Sequence, residues 1–70
     1  MTSLDLHGVY HQDVDRLVEN FVLLNQHKTP LTIICGNSKR MIDIVSSTLY
    51  NINCESIDTT TYGTIKVYKV

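Results

Sequence analysis

Asp5 and His7, a carboxylate and an imidazole two residues apart, are the side chains of this chain best suited to chemistry. They lie in Leu4-Asp5-Leu6-His7-Gly8, which alternates apolar and polar residues and ends in a glycine, as a short half-buried strand entering a turn should. Alternation sends Leu4 and Leu6 into a core and puts Asp5 and His7 together on the opposite face, their Cα atoms roughly 7 Å apart. A histidine exchanges protons near neutral pH, and a neighbouring carboxylate can fix its tautomer, so the pair suits general acid–base work. The plainer alternative is that Asp5 and His7 only hold the turn together through local hydrogen bonds. His11 lies four residues beyond His7, but Gly8 and the turn break any common helical face, so the spacing does not define a metal site. No metal ligand set is expected, and the need for a divalent cation stays open.

A second group is Gly36-Asn37-Ser38-Lys39-Arg40. Gly36 turns the chain, and Asn37 or Ser38 is a natural N-cap for the helix that follows. Lys39 and Arg40 then occupy its first turn, where each exposed cation opposes the helix dipole by about 0.3–1 kcal/mol. That placement suits a phosphate held between helix N-terminus and two cations. Exposed basic residues tolerated on a surface are the bland alternative. Lys66 and Tyr68 could stack on and pair with a nucleotide, or form an ordinary exposed cross-strand pair. Tyr10 and Tyr62 have no surrounding pattern that assigns them a role.

The elements that must position these residues follow from hydrophobic periodicity. Val14, Leu17, Val18, Phe21, Val22 and Leu24 form one helical stripe, which Lys28-Thr29-Pro30 ends. Asp13 and Asp15 suit its first turn, although Tyr10, His11 and Gln12 are poor caps. Leu31–Cys35 is β-branched and apolar, a central strand. Met41, Ile42, Val45 and Leu49 form the stripe of a second helix from Lys39 to Tyr50, ended near Asn51 and Asn53. Two strands, Cys54–Thr59 and Thr64–Val70, close the chain around a turn at Gly63. The predicted fold is α/β: an α+β two-layer sandwich in the order β-α-β-α-β-β, a four-stranded mixed sheet with both helices on one face. Right-handed crossovers make the first two strands parallel. Their carboxyl ends, His7-Gly8 and Cys35–Ser38, then share one edge, where ligands of such sheets bind.

Seventy residues with 43% hydrophobic and 19% charged content suit a single globular domain over 1–70. The net charge of −1 supplies no overall basic attraction, so an anionic partner needs a local patch. A core this small makes homo-oligomerisation a secondary expectation. The start lacks the features of a signal peptide, no apolar run would span a membrane, and Cys35 and Cys54 form no CxxC or zinc spacing. A cytoplasmic protein with two free thiols and no membrane contact is expected.

Leu4-Asp5-Leu6-His7-Gly8, then an amphipathic helix, then Ile33-Ile34-Cys35-Gly36-Asn37-Ser38, resembles the Smr (small MutS-related) domain, over essentially the whole chain through Gly63-Thr64-Ile65-Lys66-Val67. The family's first motif, LDLHG, is matched in full. The resemblance implies a fold like the C-terminal domain of translation initiation factor 3 and DNA or RNA as partner. Several members are nicking or RNA-cleaving endonucleases. By position, it implies Asp5 and His7 as the catalytic pair. It adds Gly8, Gly36, Asn37, Ser38, Lys39 and Arg40 as the nucleic-acid-binding edge. The second motif usually reads Gly-x-Gly, and here Ser38 replaces its second glycine, offering a hydroxyl that can tie the loop to its own helix. The alternative to this reading is a non-catalytic protein-interaction or dimerisation module.

Overall fold

The computed structural model describes residues 2–70, so Met1 of the expected domain lies outside the described residues. The chain runs β1 (Thr2–Asp5), α1 (His11–Leu24), a 3₁₀ turn (Gln26–Lys28), β2 (Leu31–Ile34), α2 (Lys39–Asn51), β3 (Ser56–Asp58) and β4 (Thr64–Lys69). The sheet order is β1-β2-β4-β3. β1 pairs parallel with β2, Leu4 opposite Ile33, while β4 is antiparallel to both β2 and β3. This is the expected α+β sandwich.

Val14, Val18 and Val22 of α1 and Met41, Val45 and Leu49 of α2 share one buried cluster with Leu6, Leu31, Ile33, Cys35, Ile65 and Val67. Each fully buried aliphatic side chain contributes about 1.5–3 kcal/mol of transfer free energy, and that burial holds both helices against one face of the sheet. The other face is polar, with Ser3, Thr32, Lys66 and Asp58 aligned across the four strands.

Leu24 departs from its expected place in the α1 stripe: it is 81% exposed. Val22 in the same turn is fully buried, but Leu24 lies two residues beyond it and at 100° per residue projects about 120° from the middle of the stripe formed by Val14, Val18 and Val22. Both new strands at the C-terminus are shorter than expected. β3 keeps three residues, and its pairing with β4 shifts register between Ser56 and Ile57. A Schellman motif ends α2: Asn53 adopts φ of 61°, its N–H bonds to Tyr50 O at 3.1 Å, and Cys54 N–H bonds to Leu49 O at 3.1 Å. These bonds satisfy carbonyls the helix would leave orphaned. Among the described residues, no helix is long and apolar enough to cross a membrane.

Candidate functional site

β1 stops at Asp5 because its carboxylate captures the chain two residues on. Asp5 Oδ1 accepts the His7 backbone N–H at 2.9 Å and meets the ring Nδ1 at 2.6 Å. The first bond bends the backbone out of the ladder, and Gly8, with φ of 78°, completes the turn. Leu6 still reaches Ile34 O at 2.9 Å and is fully buried. The turn is thus anchored in the core while its polar pair faces out, the His7 side chain 66% and that of Asp5 60% exposed. The two hydrogen bonds from His7, backbone first and ring second, hold the Asp5 carboxyl below its ordinary value of 3.8, so it stays ionised throughout the neutral range.

Nδ1 donates to this carboxylate when it carries the ring proton, which leaves the Nε2 lone pair as the acceptor. Nε2 points to Gly36: a Cβ built there would lie 3.0 Å from it. The β2–α2 loop therefore passes directly beside the imidazole, and the glycine, with φ of 73°, keeps the approach open. Asp5, His7 and Gly36 come together as the sequence suggests.

The loop is fixed from two sides. Ser38 Oγ accepts the Met41 N–H at 3.1 Å, the N-cap expected of it. Gly63 O accepts both the Cys35 N–H at 2.7 Å and the Gly36 N–H at 3.2 Å. Gly63 could not carry a side chain, because a Cβ would lie 2.6 Å from Gly36 O and its φ is 84°. The β3–β4 turn is thereby a third wall of the site. The local sequence identifies Gly63 as a turn residue and carries no sign of this contact. Its signal is topological: placing β4 antiparallel beside β2 sends the turn before β4 to the carboxyl end of β2.

Lys39 and Arg40 diverge. Lys39 lies 3.6 Å from Asp43 and lines a pocket against the β3–β4 turn, with Tyr62 and Thr61. Arg40 instead lines an open cleft of about 770 Å³ with Val9, Tyr10, His11, Gln12 and Ile44. Adjacent helical residues project about 100° apart, so the two cations flank the loop on different sides. Asn37 and Gly8 are exposed at the rim. Burial pushes both cysteine thiols up, which leaves them protonated and poor nucleophiles. Among the described residues, no group of three His, Cys, Asp or Glu side chains is placed to hold a metal ion.

The chain matches no protein-family model, no curated protein and no solved structure.

Proposed function

We propose that this chain is an Smr-like domain that binds nucleic acid along the edge formed by Asp5, His7, Gly8, Gly36, Asn37, Ser38, Lys39 and Arg40, and that Asp5 and His7 cleave the phosphodiester. The observation that carries this reading is the 2.6 Å contact between Asp5 Oδ1 and His7 Nδ1 with Nε2 turned toward the glycine loop. In this mechanism Nε2 takes the proton from the attacking hydroxyl or water and returns it to the leaving oxygen. Asp5 stabilises the imidazolium between those steps. Arg40 attracts the strand from the cleft side and Lys39 from the pocket side, local positive charge on a chain of net charge −1. The LDLHG motif supports the same assignment.

The test is binding and cleavage of labelled single-stranded, duplex and branched DNA and RNA, with and without Mg²⁺ or Mn²⁺. His7→Ala should lose cleavage by about 10²–10⁴-fold and keep most of its binding. Arg40→Ala should weaken binding and flatten its salt dependence. Equal cleavage by wild type and His7→Ala refutes the catalytic assignment.

A protein-interaction role rests on a different observation. Leu24 and Tyr50, in the last turns of α1 and α2, are each 81% exposed, at the helix ends remote from Asp5 and His7. Salt-insensitive association with a protein and none with nucleic acid would favour that reading.

A further inference from the structure

The second pocket, about 200 Å³, lies between the first turns of α2 and the β3–β4 turn. Its walls are largely apolar, with Ile42 and Ile65 at the inside and Tyr62 at the side, while Lys39, Asp43 and Thr61 supply polar groups around them. It is joined to the candidate catalytic pair by a short run of contacts. Gly63 lines the pocket, a Cβ on Gly63 would lie 2.6 Å from Gly36 O, and one on Gly36 would lie 3.0 Å from His7 Nε2. The pocket and the imidazole are thus separated by two glycines.

We infer that this pocket is a subsite for a single unstacked nucleobase, adjoining the phosphodiester presented to His7. The inference rests on the nucleic-acid reading above and gives it a substrate class: single-stranded or locally opened strands. Three features argue for a base. The volume is below that of the usual pocket for a larger ligand and suits one flat ring system. An aromatic side chain, Tyr62, is 64% exposed at the pocket, offering a face for stacking. A cation, a carboxylate and a hydroxyl stand within one small opening, the mixture of donors and acceptors that reads a base edge. A base within a duplex is paired and stacked and cannot enter without being extruded. The wider cleft beside Arg40 is more open and is left for the backbone that runs on from the bound base.

The direct test titrates the labelled protein with a short single-stranded RNA or DNA oligonucleotide, the same strand carrying an abasic site at each position in turn, and the blunt duplex. Amide shifts are followed by NMR. The single strand should move the amides of Lys39, Ile42, Tyr62 and Gly63 together with those of His7 and Gly36, and the duplex should leave the first group still. Tyr62→Ala, an exposed loop change, should weaken single-strand binding roughly 5- to 100-fold, while Tyr62→Phe retains it. An abasic position that weakens the wild type should have little further effect on Tyr62→Ala. The subsite is overturned, with the nucleic-acid reading intact, if His7 and Gly36 respond while the pocket amides do not, or if Tyr62→Ala binds as wild type does. If neither group responds to any strand, both readings fall. A pocket that answers a leucine-containing peptide and no oligonucleotide also overturns the inference.

Discussion

Two turns at the same end of the sheet begin with the same device and come to different ends. In the turn after β1, Asp5 Oδ1 accepts the His7 N–H at 2.9 Å; in the turn after β3, Asp58 Oδ1 accepts the Thr60 N–H at 2.9 Å. Both carboxyls are held below their ordinary value, chiefly by that backbone bond, and each turn contains a glycine at positive φ. The residue two places on makes the difference. Thr60 returns only a hydroxyl to Asp58, whereas His7 returns its imidazole to the same oxygen at 2.6 Å. A hydroxyl suffices to close such a turn, so the ring in the first turn, with a second nitrogen left to donate or accept, is what points to chemistry. The glycines differ in the opposite sense: a Cβ on Gly8 would meet nothing within 4 Å, while one on Gly63 would strike Gly36 O. The first turn is tuned for exposure and the second for close packing.

The comparison breaks most visibly in cleavage. Asp5→Asn should lower strand cleavage by about 10²-fold or more, because the carboxylate that fixes Nδ1 is gone, and Asp58→Asn should leave it within about twofold of wild type. Equal losses in initial-rate assays would mean that both aspartates serve only the backbone. Stability should show the reverse asymmetry. Gly63→Ala should cost roughly 2–4 kcal/mol from a forced φ plus a backbone clash, and Gly8→Ala about 1 kcal/mol from the φ alone, read as urea midpoints at constant m-value. The smallest effect is in pH. Each aspartate has a depressed folded-state pKa, so its contribution is fully present above the unfolded value and is lost as pH falls through the folded one. The window therefore lies below the ordinary 3.8 for both. Side-chain carboxyl NMR should find Asp5 and Asp58 titrating there, and Asp5 should move back upward in His7→Ala, since the ring bond is lost, while Asp58 stays where it is.

Much of this is legible in the sequence. Alternation in Leu4–Gly8 sets Asp5 and His7 apart from the buried Leu6, but β1 ends at Asp5, and the turn closed by the Asp5 carboxylate, not the pleat, brings the pair into contact. The valine spacing in α1, the Ser38 cap and the parallel pairing of β1 with β2 follow from equally local rules. The departures come from helix geometry and tertiary context. Leu24 is apolar and near the stripe in sequence, but it projects away from Val22, which takes the core contact in that turn. Lys39 and Arg40 are neighbours in sequence, and a helix separates their directions as surely as a strand would pair alternate residues. The role of Gly63 depends on a strand partner some thirty residues back, and only the neighbour relation between β2 and β4 exposes it.

That long-range clip makes an N-terminal site depend on the C-terminal hairpin. The Asp5–His7 pair is made within one short segment near the start of the chain, and β1 needs only β2 to be anchored. The loop beside the imidazole is different: the N–H groups of Cys35 and Gly36 find their acceptor only at Gly63 O. A small single domain folds as a unit, so the local pair and its distant wall form together or not at all. A chain stopped before Gly63 keeps the Asp5–His7 segment but has no acceptor for the Cys35 and Gly36 N–H groups.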